Sequence, residues 1–203
     1  MKHYLLTIGI AMAVLCGVNV ALNLAPWYYV IAAVVWCTAL QFAFDAVIAL
    51  TVNHLPDRWF GADNPLFRVR DYEKPLYKNL KVRRWKDNVW ELGGLGGFSK
   101  KALKEPDNPL YIEKFLIECN RGVVTHRLSY FVGFFAMLTL SGVCVFTVAL
   151  PVALVNLYLN VLPTLVLRYN TPKLKAVLAR LTRNSAPAFK EQDRAPIPQK
   201  TNK

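Results

Sequence analysis

Few side chains in this 203-residue chain can move a proton or hold an anion, and they concentrate between residues 51 and 127. His126 leads. An imidazole titrates near neutral pH and serves as a general base once a neighbour orients it. Glu118 and Asp57 are the acids available for that. A helix begun at Pro109, turning about 100° per residue, puts Glu118, Arg121 and Thr125 on one stripe, with His126 about 80° from Glu118. A carboxylate, a guanidinium and an imidazole then share one hemisphere where the chain turns wholly apolar. The plainer readings are an interfacial anchor for His126 and an ordinary i, i+3 pair for Glu118 and Arg121.

The run Lys81-Val82-Arg83-Arg84-Trp85-Lys86 can hold phosphates through charge-assisted hydrogen bonds, either of a lipid headgroup or of a coenzyme A-type donor. An electrostatic membrane clamp is its bland alternative. Gly93-Gly94-Leu95-Gly96-Gly97, followed by Lys100 and Lys101, reads as a hinge or an anion cradle, and its spacing fits neither phosphate-loop nor dinucleotide fingerprints. Acyltransferases of the His-x-x-x-x-Asp type are excluded, because Arg127, Leu128, Ser129, Tyr130 and Phe131 follow His126. Ser99 lacks the surroundings of a hydrolase nucleophile. Cys16, Cys37, Cys119 and Cys144 form no Cys-x-x-Cys pair and read as small apolar fillers, so no metal is expected.

Two long uncharged runs position these residues. One extends from Tyr4 to Phe44 and the other from Leu128 to Leu167. About 40 helical residues reach roughly 60 Å, two crossings of a ~30 Å hydrocarbon layer. Pro26 and Trp27 mark a turn in the first run, with a second span from Trp27 to about Leu50. Asp45 near its end is an acid reaching headgroup depth or a buried functional carboxylate. Asp107-Asn108-Pro109 is a helix start. The third span runs from Leu128 to Leu150, and Pro151 turns the chain. In the fourth, Asn156 and Asn160 mark one packing face and Pro163 should kink the helix. Thr171-Pro172 caps a short basic helix from Lys173 to Arg183 that lies flat on a membrane, and the chain from Ser185 reads as disordered.

The expected fold class is therefore an all-α integral membrane protein of about four transmembrane helices in two hairpins. Residues 1–50 form the N-terminal hairpin, 51–127 the cytoplasmic or interfacial segment with the active site, and 128–167 the second hairpin. Residues 168–184 form an amphipathic interfacial helix and 185–203 a tail. Net charge is +12. Fifteen of the 25 Lys and Arg lie in 51–127 and nine from Arg168 onward, which places the central segment and both termini of a multi-pass protein in the cytoplasm. The basic balance then suits anionic lipid, and nucleic acid is not an expected partner.

Four ordered blocks carry a resemblance. They are Leu55-Pro56-Asp57-Arg58-Trp59-Phe60; Val82-Arg83-Arg84-Trp85-Lys86; Ile117-Glu118 through Arg121 to His126; and Arg168-Tyr169-Asn170 with Pro172 and Leu174. This set resembles the glycosyl-4,4'-diaponeurosporenoate acyltransferase family of staphyloxanthin-type carotenoid biosynthesis. The resemblance implies a small membrane enzyme that esterifies a fatty acid onto the sugar hydroxyl of a glycosylated carotenoid or related glycolipid. His126 would be the base, with Glu118 or Asp57 orienting it. Arg83, Arg84, Trp85, Lys86, Arg121, Arg168, Tyr169 and Asn170 would bind substrate or acyl donor, and Arg121 or Arg168 would stabilise an oxyanion. The donor would be acyl-CoA or acyl carrier protein as co-substrate, with no cofactor. The competing classes are a non-enzymatic membrane scaffold and a small membrane methyltransferase. A cavity where Glu118, His126 and Arg168 converge would favour the enzyme.

Overall fold

The structure, a computed structural model, describes residues 2–89 and 103–192, with side chains from 5 to 184 within those limits. The glycine loop, Ser99, Lys100, Lys101 and residues 193–203 lie outside the described residues. All regular structure described is helical.

Helix α1 (Lys2–Ala21) and α2 (Trp27–Asn53) form the first hairpin. Their turn falls where the sequence places it, with Asn23 at φ 50° and Pro26 leading α2. Asn tolerates the left-handed conformation better than most residues, and Pro suits a helix entry. Asn108 caps α5 (Pro109–Val132) as expected, its side chain accepting from Leu110 N at 3.1 Å and Tyr111 N at 3.3 Å.

The second apolar run departs from expectation. Instead of one helix to Leu150, α5 passes into a 3-10 stretch (Gly133–Thr139) and the chain turns at Gly142, φ +64°. Glycine adopts that φ without steric cost, which Pro151 cannot. The chain re-enters helix through a π turn (Val145–Ala149) that leads directly into α6 (Leu150–Gln192). The π turn precedes Pro151, so its missing N–H falls at a break in the i to i−4 ladder rather than ending the helix. Helix α6 also runs on through Pro163 and Pro172. The basic segment 168–184 is thus the end of α6 rather than a separate helix capped at Thr171, and helix persists past Ser185 to Gln192.

Helices α5 and α6 are the central antiparallel pair, with α2 against both and α1 outside α2. Val30, Val34, Cys37, Ala136, Cys144 and Val148 form one core near the turns; Phe115, Leu116, Cys119, Val123, Leu167 and Leu174 form another at the opposite end. Asn19 donates to Thr147 O at 3.1 Å, so both turns sit at one end of the molecule. The basic segment covers the other end with short helices α3 (Glu73–Asn79) and α4 (Val82–Trp85).

Two helical stretches are long and apolar enough to cross a membrane, Trp27–Asn53 and Val145–Asn184, rather than four; Leu5–Ala21 is a shorter apolar helix. Only 22% and 33% of the two apolar windows are buried, whereas the core helix of a soluble protein would be mostly buried. Leu6, Ile10, Val14, Val35, Trp36, Phe131, Leu138, Phe146 and Leu154 are all exposed. So many exposed large apolar side chains suit a lipid surround.

Candidate active site

The polar side chains gather at three places. The first is built on Arg121. Its Nη2 donates to Asp57 Oδ1 at 2.7 Å and Leu55 O at 2.9 Å, and its Nη1 to Glu118 Oε1 at 3.0 Å. The guanidinium also lies over the Phe60 ring, 5.0 Å from its centroid. Neighbouring Asn120 donates to Phe60 O at 2.8 Å. These bonds fasten the loop Leu55–Phe60 onto α5. Glu118 and Asp57 are thereby both engaged by Arg121.

The second is built on Arg168. Its Nε donates to Glu73 Oε2 at 2.7 Å and its Nη2 to Glu73 Oε1 and to Arg68 O, the latter at 3.2 Å. Glu73 also accepts from Arg70 N at 3.0 Å and the Tyr77 hydroxyl at 2.6 Å. Burial pushes the Glu73 carboxyl up, but the Arg168 bond, with Arg70 N and Tyr77 behind it, outweighs burial and holds it down to about 2. Burial raises the Tyr77 phenol above its ordinary value, and the adjacent Glu73 charge adds to that. Tyr77 meets Tyr169 edge to face at 6.0 Å, and Lys173 Nζ sits 3.9 Å above the Tyr169 ring. Arg168 and Tyr169 thus dock the basic segment on α6. Arg83 and Arg84 remain exposed on α4, Trp85 donates to Leu80 O at 2.9 Å, and Lys86 pairs with Asp87. Asn170 is half-buried on α6.

The third cluster lies deeper, between α2, α5 and α6. His126 Nδ1 is 2.8 Å from Asn160 Oδ1. The amide's orientation follows from its other end: Asn160 Nδ2 donates to Asn156 O and Oδ1, both at 3.0 Å. Asn156 Nδ2 donates in turn to Ser129 O at 3.0 Å. An amide oxygen only accepts, so Nδ1 carries the proton and Nε2 holds the neutral ring's lone pair. The Asp45 carboxyl is within hydrogen-bonding reach of Ser129 and Asn160, and its Oδ1 is buried with no hydrogen-bond partner among the described residues. Gln41 donates to Gly133 O at 3.4 Å.

Glu118, His126 and Arg168 therefore belong to three clusters rather than one cavity. The sequence marked Asn156 and Asn160 as one packing face without linking them to His126. Glu73 carried no signal, since its partner is 95 residues away.

Fold and site together define an all-helical protein with two helices apolar enough to cross a membrane and a half-buried imidazole hydrogen-bonded to an amide. The chain belongs to the glycosyl-4,4'-diaponeurosporenoate acyltransferase family, whose model matches residues 56–180. That match takes in α3 to most of α6, with all three polar clusters except Asp57's loop neighbour Leu55 and the α2 residues Gln41 and Asp45. No curated protein and no solved structure matches the chain.

Proposed function

We propose that this protein transfers a fatty acyl group to a hydroxyl of a glycosylated lipid, a glycosyl carotenoid or related glycolipid, at the cytoplasmic face of the cell membrane. The observation that carries this reading is the hydrogen bond from His126 Nδ1 to Asn160 Oδ1, which leaves Nε2 as the ring's basic nitrogen. In the reaction Nε2 takes the proton of the acceptor hydroxyl as its oxygen attacks the acyl carbonyl. The thiol of acyl-CoA or acyl carrier protein leaves and receives that proton. Family membership supports the acyl chemistry.

The basic segment fits donor binding. Arg83 and Arg84 on α4, beside α6, and Lys86 just after it, with Trp85 between them, can engage the phosphates of a pantetheine-bearing donor. Arg121, Arg168 and Tyr169 hold that segment in place rather than touch the reacting atoms. With both turns at one end and the basic cover at the other, positive-inside logic puts that cover and both termini in the cytoplasm. Helices α2 and α6 cross the layer, while α1 and the limb from Leu128 to Thr139 share it.

The test is acyl transfer by purified protein in lipid nanodiscs, read as acylated lipid by mass spectrometry. His126→Ala should lower the rate by roughly 10²–10⁴. Full activity in that variant refutes the role of His126. A folded wild-type protein that forms no acylated product from any glycosylated lipid, and no such lipid missing from cells lacking it, refutes the transferase reading.

A further inference from the structure

A narrow, partly open cavity lies between α1, α2 and α6. Ile8, Met12, Val155 and Leu159 supply apolar walls. Its polar lining is Gln41, Asp45 and Asn156, with Thr38. Small-molecule sites share this make-up, mostly apolar with a few placed polar groups.

The lining has a direction. Along α2 it runs from Thr38 to Asp45, about 10 Å at 1.5 Å per residue, and Asp45 stands about 27 Å from Trp27 at the turn end. Its carboxyl is therefore at the end nearer the basic segment, while Leu15 and Val152 line the end nearer the turns. A lipid of the cytoplasmic leaflet has the same orientation, head toward the basic side and tail toward the bilayer centre. The carboxyl also abuts the reactive cluster, facing Asn160, which holds His126.

A carboxylate oxygen buried in such a place without a partner costs free energy until a donor reaches it. Gln41 and Asn156 already donate to Gly133 O and Ser129 O. Asp45 Oδ1 is thus the unsatisfied acceptor beside the cavity. A hydroxyl is the group that satisfies it and that the proposed reaction consumes.

We infer that this cavity binds the acceptor lipid: a single hydrocarbon chain between α1, α2 and α6, with the lipid's hydroxyl donating to Asp45 and standing next to His126. The inference rests on the acyl-transfer reading and names where its acceptor sits. Asp45 is then a positioning residue. The cavity walls from α1 and α2 lie before the family match at residues 56–180, so acceptor selectivity is set by the part of the chain outside it.

The test uses full-length protein in nanodiscs and an alkyl glucoside carrying a diazirine in its chain. Illumination should label cavity-facing residues of α1, α2 and α6. Ala11→Trp fills the space from α1 and should lower labelling at least tenfold; Leu159→Trp fills it from α6 and serves if the first variant fails to fold. Val14→Trp, on the exposed face of α1, should leave labelling unchanged. Asp45→Asn should weaken competition by unlabelled alkyl glucoside about tenfold and leave competition by the same chain lacking hydroxyls unchanged. Unlabelled alkyl glucoside should displace the probe and acyl-CoA should not. Displacement by acyl-CoA alone would assign the cavity to the donor and overturn the inference. So would labelling spread evenly over lipid-facing Phe131 and Leu138 and indifferent to both Trp variants. Labelling as expected without acyl transfer would instead sink the catalytic reading and leave a lipid site, whereas acyl transfer with no cavity labelling would sink this inference alone.

Discussion

Asn160→Leu isolates the contact on which the proposed chemistry turns. Leu matches Asn in bulk closely enough to keep the helix packed, but it accepts no hydrogen bond. In the resting protein the bond from His126 Nδ1 joins two neutral groups, worth about 1 kcal/mol net. As Nε2 takes the substrate proton, the ring becomes a cation and the same bond becomes charge-assisted, worth about 1.5–3 kcal/mol. The difference, about 1–2 kcal/mol, is stabilisation present only in the transition state, so kcat should fall roughly 5- to 30-fold with KM little changed. His126→Ala removes the base itself and should cost 10²–10⁴-fold, on the order usual for general bases. Because Asn160 acts through His126, the double variant should be no slower than His126→Ala alone. Initial rates of acylated-lipid formation in nanodiscs, across donor and acceptor concentrations, provide the cycle. Wild-type kcat in Asn160→Leu would refute the reasoning. So would a double variant slower than His126→Ala by the full Asn160→Leu factor, since the two residues would then act independently. Asn160→Leu also strips donors from Asn156 O and Oδ1. A loss of about 1–3 kcal/mol in stability is expected alongside, and thermal unfolding separates it from the kinetic effect.

Glu73 is more acidic folded than in its ordinary state, at about 2 against 4.5. Its contribution is therefore complete above pH 4.5 and is lost as pH falls through about 2. That amounts to about 3 kcal/mol, so thermal unfolding in detergent should show a steep acid limb that Glu73→Gln flattens while lowering stability at pH 7. Arg168→Leu should be the harsher change, about 3–5 kcal/mol, because it leaves a buried carboxylate unpaired. At Gly133 an added Cβ would stand 3.2 Å from Asn156 Nδ2, 3.3 Å from Gln41 Nε2 and 3.4 Å from Ala153 Cα. Gly133→Ala should therefore cost about 1–3 kcal/mol, whereas Gly9→Ala, with nothing within 4 Å, should be neutral or stabilising. Gly142→Ala meets no neighbour but must hold φ at +64°, and should cost about 1 kcal/mol by the same measurement.

Local chemistry was the legible part of this chain. Pro26 and Trp27 mark a turn because one lacks an N–H and the other prefers the interface, and α2 begins there. Asn108 and Pro109 read as a cap and first turn for the same kind of reason. Reading failed where one breaker competed with another. Pro151 looked like the turn in the second hairpin, yet Gly142 takes the positive φ and a π turn carries the helix past Pro151. Pro172 likewise sits inside α6, where packing overrides a local cost of about 3 kcal/mol. The site was half legible. The candidate imidazole, acids and guanidiniums could be named from their types, and the fold gives them different hydrogen-bond partners. Their pairing was not readable, because Glu118 lies one turn from Arg121 and also two turns from His126, and the spacing alone does not choose. Glu73 with Arg168 and Asp45 with Asn160 are long-range contacts that no periodicity announces.

The three clusters differ in what they can be for. Arg121 and Arg168 each tie a loop of the basic segment to a helix, and their bonds end on backbone oxygens and carboxylates. A scaffold needs those two fastenings and nothing more. The third cluster ties α5 to α6 through His126 with Asn160 and Asn156 with Ser129 O. It buries Gln41, Ser129, Asn156 and Asn160 among apolar helices, each a liability of about 1–3 kcal/mol wherever a partner is lost. His126 bonded to Asn160, with Asp45 beside them, is the cluster on which the proposed transfer rests.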